Sequence, residues 1–143
     1  MISMPKPKTI LGIMFVVFVA AYAAAIFRIH AYYIYGDTYF HLGGGVLAAL
    51  LVASYYHSEF EKLSPLFRLF ALMGITMGIG VLWEFHEFIL GGLAYATHNF
   101  GGHVSAGMDY MGDLRDTMKD LCMDTLGGLI VGLWLFRIKK QES

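Results

Sequence analysis

The sequence predicts an all-α fold: a polytopic membrane protein built as a four-transmembrane-helix bundle. Three observations lead there. Of the 143 residues 57% are hydrophobic and only 15% charged, with a mean hydropathy of +0.60, whereas a soluble domain carries roughly a quarter charged residues. Four apolar stretches each approach the roughly 20 residues that cross a bilayer. The one long connection, 91–116, is rich in glycine and carries the polar residues His98, Asn99 and His103.

The expected spans are about 9–27, 37–56, 65–90 and 117–136, forming one integral membrane domain over residues 1–143 with 91–116 as its outer loop. In the first, Lys6 and Lys8 precede the apolar run, and Ala21-Tyr22-Ala23 has the small-residue form of a signal cleavage site. Apolar residues continue through Ile26 and Phe27, longer than a signal core, so an uncleaved span is expected. The second, third and fourth spans carry Gly43, Gly44 and Gly45; Gly74, Gly78 and Gly80; and Gly127, Gly128 and Gly132. Small residues let helix backbones approach closely in lipid, and Gly74-x-x-x-Gly78 reads as such a packing face.

Orientation follows from the basic residues, which are retained on the cytoplasmic side. With both termini inside, Lys6, Lys8, Lys62, Arg68, Arg137, Lys139 and Lys140 face the cytoplasm, leaving Arg28, Arg115 and Lys119 outside. The expected location is therefore the inner (plasma) membrane with cytoplasmic termini. The formal net charge of -1 leaves no basic surface for nucleic acid. Cys122, the single cysteine, can form no internal disulfide or zinc knuckle. Membrane lipids are the expected partners, and the sequence is silent on oligomeric state.

The chemistry gathers at one level. Asp37 and His41 are four apart on one face of the second span, and Glu84 and Glu87 three apart on one face of the third, both at the outer end. His86 points roughly opposite those acids. In the fourth span Asp113, Asp116, Asp120 and Asp124 are spaced by three, four and four, one acidic stripe about 80° wide entering the membrane. The helix dipole accounts for acids in a first turn but not for the deeper Asp120 and Asp124. Arg115 and Lys119 are offset from the stripe. Like charges on one face repel, so four stacked aspartates need a partner, and intramembrane ionisable groups mark functional sites. His30, His57, His98 and His103 read as span-end or loop residues; Trp83, Trp134, Tyr32, Tyr33, Tyr35, Tyr55 and Tyr56 read as an interface belt.

Asp37-Thr-Tyr-Phe-His41, Trp83-Glu84-Phe-His-Glu87 and Asp113-Leu-Arg-Asp116-Thr-Met-Lys-Asp120, ending in Asp124-Thr-Leu-Gly127, resemble the YjdF-like inner-membrane proteins, a group similar to the VanZ-like family. The likeness covers spans two to four. It departs from the VanZ-like pattern at Thr38, where Lys is usual, and at Asp124, where Asn is usual. The resemblance implies a polytopic fold and a shared polar cluster of Asp37, His41, Glu84, Glu87, Asp116, Asp120 and Asp124. The aspartate spacing is also similar to the motifs of membrane prenyltransferases, which hold Mg²⁺ against a lipid diphosphate; this is an analogy of chemistry only.

Two functions are expected to compete. In the first, Glu84, Glu87, Asp116, Asp120 and Asp124 hold a divalent metal ion and Asp37 or His41 acts as general base on a lipid head group or lipid-linked substrate. Carboxylates suit Mg²⁺, Mn²⁺ or Ca²⁺, while His41 would admit Zn²⁺ or iron. A ferritin-type di-iron centre is disfavoured because the chain has no paired Glu-x-x-His motifs. The second function is non-catalytic: proton or cation movement, or an accessory role in the envelope.

Overall fold

The computed structural model describes residues 5–26, 36–99 and 114–141. Five helices follow in chain order: α1 Pro7–Ile26, α2 Asp37–Tyr55, α3 His57–Lys62, α4 Pro65–Asn99 and α5 Leu114–Gln141. Nearly every described residue is helical, and among them there is no strand. Asp113, His30, His103, Arg28, Tyr32, Tyr33 and Tyr35, all weighed above, lie outside the described residues.

Local sequence explains where the helices begin. Pro7 and Pro65 each occupy the first helical position, where proline's missing N–H costs nothing. Ser64, just before Pro65, accepts the Phe67 N–H at 3.3 Å and so caps α4. A short connection was expected after the second span. The chain instead forms α3, whose buried Phe60 seals one end of the bundle against Ala49, Ala53, Leu72 and Val131. On the exposed side of that helix the Ser58 hydroxyl donates to Glu59 at 2.7 Å, holding its carboxyl below the usual range.

The expected loop 91–116 is shorter than its composition suggests. α4 runs through Gly91 and Gly92 to Asn99, and α5 begins at Leu114. Two glycines cost about 1 kcal/mol each inside a helix, and the good helix formers Leu93, Ala94 and Ala96 offset this.

Among the described residues, two helices, Asp37–Tyr55 and the Pro65–Leu90 part of α4, are long and apolar enough to cross a membrane, where four spans were expected. The other two fall short for identifiable reasons. The described apolar run of α1, Pro7–Ala23, is shorter than a full span. α5 carries Lys119, Asp120 and Asp124 in its first half, too many charges for a span judged by composition alone.

α5 packs against α2 and α4, while α1 lies mainly along α2. Beside an apolar core, this bundle buries ionisable groups and turns large apolar side chains outward, unlike a soluble bundle. His41, Thr76, Asp120 and Asp124 are buried, whereas Phe15, Val16, Leu66, Phe67, Phe70, Leu82, Phe85, Phe88 and Ile130 face outward. Contiguous exposed apolar surface of this kind belongs against lipid.

Glycine makes the close crossings, though not all the glycines expected to. A Cβ on Gly45 would strike the Asp124 backbone, one on Gly127 would lie 2.5 Å from Val46 N, and one on Gly128 would lie 2.9 Å from Leu72 O. Gly43, Gly44, Gly74 and Gly78 have nothing within 4 Å, so Gly74-x-x-x-Gly78 is not a packing face of this bundle. Gly127→Ala is therefore expected to lower stability by about 1–3 kcal/mol, the usual cost of overpacking against something that cannot move. Gly78→Ala should leave stability unchanged or raise it by up to about 1 kcal/mol through helix propensity. Thermal denaturation of the detergent-solubilised protein, followed by circular dichroism, checks both.

Candidate metal centre

α2 and α5 run parallel to each other with α4 antiparallel to both, which brings three sequence-distant stretches to one end of the bundle. α2 enters that end with Asp37 and His41, α4 leaves through it with Glu84 and Glu87, and α5 re-enters with Asp116, Asp120 and Asp124. His41 sits at the centre, its side chain only 4% exposed.

Each ring nitrogen of His41 has a distinct setting. Nδ1 lies 3.1 Å from Asp124 Oδ2; a carboxylate can only accept, so the N–H is on Nδ1. In the neutral ring the lone pair is then on Nε2, which has no hydrogen-bond partner. Nε2 stands 3.7 Å from Asp37 Oδ1 and 3.9 Å from Glu84 Oε1. Glu84 Oε1 is itself buried without a hydrogen-bond partner, while its Oε2 accepts from the Thr117 hydroxyl at 2.9 Å.

Among the described residues, two sets of side chains have the geometry to hold a cation: Asp37, His41 and Asp120, and His41, Glu84 and Glu87. In each, the donor atoms lie within 4.8 Å of one another. Five of the other six sequence-expected residues surround His41: Asp37, Glu84, Glu87 and Asp120 through these sets, and Asp124 through Nδ1. Asp116 lies outside both sets and pairs with Lys119 at 2.6 Å.

Lys119 is a correction to the sequence reading, which set it aside as offset from the acidic stripe. Its ammonium reaches back to lie 3.6 Å from Asp37 Oδ2 and 3.4 Å from Asp120 Oδ1 as well. The Asp116-x-x-Lys119 spacing was the available signal, since residues three apart on a helix are neighbours. Trp83, read above as a belt residue, packs edge-on against Phe18, with ring centroids 5.8 Å apart, and lies beside Tyr22 and His86. Tyr22 Oη lies 2.9 Å from His86 Nε2, so His86, pointing away from the acids, ties α4 to α1.

Of these, Phe18 and Trp83 line a cavity of about 150 Å³ between α1, α2 and α4. Its lining is mostly apolar, with Met14, Val17 and Ala21 of α1 and Ile79 of α4, and it includes Asp37, His41 and Asp124. A dry cavity of about this size holds an apolar group as large as benzene.

A family model described as predicted membrane protein (DUF2238) matches residues 3–141. No match was found among curated proteins or among solved structures.

The His41–Asp124 contact has a measurable worth. Asp124→Ala would leave the buried Nδ1–H without an acceptor and is expected to cost about 1–3 kcal/mol. Asp124→Asn keeps an oxygen acceptor and should cost less. Denaturation midpoints of the two variants beside the parent test this; equal midpoints would show that the contact contributes nothing.

Proposed function

Because the chain belongs to the DUF2238 family of predicted membrane proteins, we propose that it is a multi-pass protein of the inner membrane that binds a divalent metal ion and acts on a lipid head group or lipid-linked substrate at the outer face. The observation that carries this reading is the junction of two environments: a mostly apolar cavity whose lining includes Asp37, His41 and Asp124. An amphiphile matches it, with acyl carbons against Val17, Phe18 and Ile79 and a polar head beside the carboxylates. Bound metal would supply Lewis-acid polarisation of a phosphoryl or carbonyl oxygen.

The residues divide by environment. His41, buried with Nε2 unpartnered, suits a metal ligand better than a general base. A donor set that pairs imidazole with carboxylates favours Zn²⁺ or Mn²⁺ over Ca²⁺ and Mg²⁺. Asp37, 28% exposed and on the cavity wall, suits the general base. Asp124 orients the imidazole, the usual part of a carboxylate behind a metal-binding histidine. The kinship with VanZ-like proteins belongs to this proposal too, through Asp37, His41, Glu84 and Glu87.

Four crossings also belong to this reading. Asp120 and Asp124 of α5 are buried and Lys119 is turned to Asp37, Asp116 and Asp120. Helix charges that face protein rather than lipid do not forbid a span. Reporter fusions after Ser143 and within residues 101–107 are expected on opposite sides of the membrane, with the C-terminus cytoplasmic. A C-terminus outside would move the polar cluster to the cytoplasmic face.

The metal is tested by elemental analysis of detergent-purified protein. Zinc or manganese is expected in the parent and absent from His41→Ala. Restoring metal to chelated protein at about 100 times its dissociation constant should add about 2.7 kcal/mol of stability. Melting temperatures indifferent to Zn²⁺, Mn²⁺, Mg²⁺ and Ca²⁺ would remove the metal from this reading.

A further inference from the structure

We infer that the cluster seats one divalent cation, held by His41 Nε2 with Glu84 and Glu87, and that the Lys119 ammonium fills the adjoining acidic group in place of a second ion. The inference rests on the metal reading above and adds to it the position and number of the ions.

Both candidate sets include His41, yet its Nδ1 is committed to Asp124 at 3.1 Å. Only the Nε2 lone pair is left, and one lone pair serves one ion. The two sets therefore compete for the imidazole, and the charges around each decide the outcome. On one side Lys119 Nζ stands 2.6 Å from Asp116, 3.4 Å from Asp120 and 3.6 Å from Asp37. A divalent ion among those carboxylates would meet the ammonium at close range in a partly buried setting, where water screens the repulsion of like charges poorly. On the other side, among the described residues, no lysine or arginine pairs with Glu84 or Glu87.

The second set also has the geometry of a seat. His41 Nε2 and Glu84 Oε1 are both buried, both without hydrogen-bond partners, and 3.9 Å apart. Two ligands of one ion, at bond lengths of about 2.1 Å, lie about 3 to 4.2 Å from each other. Thr117 fixes the Glu84 carboxylate through Oε2, which leaves Oε1 toward the imidazole. Two buried polar atoms that face each other at 3.9 Å, beyond hydrogen-bond reach, are costly as they stand, and a cation satisfies both.

The experiment strips the detergent-purified full chain with a chelator and titrates it with Mn²⁺, reading bound metal per chain and the electron paramagnetic resonance spectrum. The parent should bind one Mn²⁺ with the signal of an isolated ion. Lys119→Met should take a second Mn²⁺ and show spin coupling, while Lys119→Arg stays at one. Two ions or a coupled spectrum in the parent would overturn the inference and leave the metal reading intact, as would Lys119→Met remaining at one. A parent that binds neither Mn²⁺ nor Zn²⁺ removes both. If Lys119→Met does not fold, two conservative variants decide: Glu87→Gln should lose the ion and Asp120→Asn keep it, and the reverse pattern overturns the assignment.

Discussion

The near-contact of the α2 and α5 backbones is the constraint from which the rest follows. Gly45 and Gly127 lie against each other's helices so closely that neither position has room for a Cβ. At that separation the short Asp124 side chain spans the crossing and meets His41 Nδ1 at 3.1 Å. A bulkier pair of crossing residues would push the helices apart by about the width of a methyl group and take the hydrogen bond out of range. Because lipid tails offer no hydrophobic drive for helix association, tight van der Waals contact and interhelical hydrogen bonds must supply it. Here one crossing provides both.

The bundle divides along its length into halves with different cohesion. At the end closed by α3, Phe60, Leu72, Ala49, Ala53 and Val131 pack as an ordinary apolar core. At the other end the interior is polar, with the Lys119 ammonium and the His41 imidazole set among the carboxylates of α2, α4 and α5. The apolar half fixes the helices so that the polar half can hold groups which, left alone, would drive them apart. The cavity lies along the second half, walled by α1, and inherits its polar lining residues from that division.

Much of this was legible in the sequence because helical periodicity acts within one segment. The all-α fold, the extents of α2 and the apolar part of α4, and the shared face of Asp37 with His41 and of Glu84 with Glu87 all follow from spacing of three or four. What spacing cannot carry is reach between helices. Lys119 sits off the stripe by angle, yet its four-carbon stem brings the ammonium to Asp37 on another helix. Nothing in the segment that carries Trp83 reveals Phe18 and Tyr22 of α1 beside it. The glycines misled in the same way: Gly74-x-x-x-Gly78 has the spacing of a packing motif but faces open space, while Gly80, two residues on, faces α5. The end of α4 was misplaced for a local reason, since Gly91 and Gly92 resemble a loop only when the helix formers that follow are given too little weight.

Gly80 also links two positions that sequence distance would treat as independent. A side chain there would run into the Asp124 carboxylate, the same group that holds His41. Residue 80 and residue 124 therefore compete for one volume, and any drift at one must be answered at the other. In relatives that share this helix arrangement, an alanine at the position of Gly80 should travel with a shorter or absent acceptor at that of Asp124, and with a histidine at that of His41 which has found another partner or been replaced. The trio would then change as a unit over evolutionary time, which makes joint substitution at these three positions a mark of members whose polar cluster serves a different chemistry.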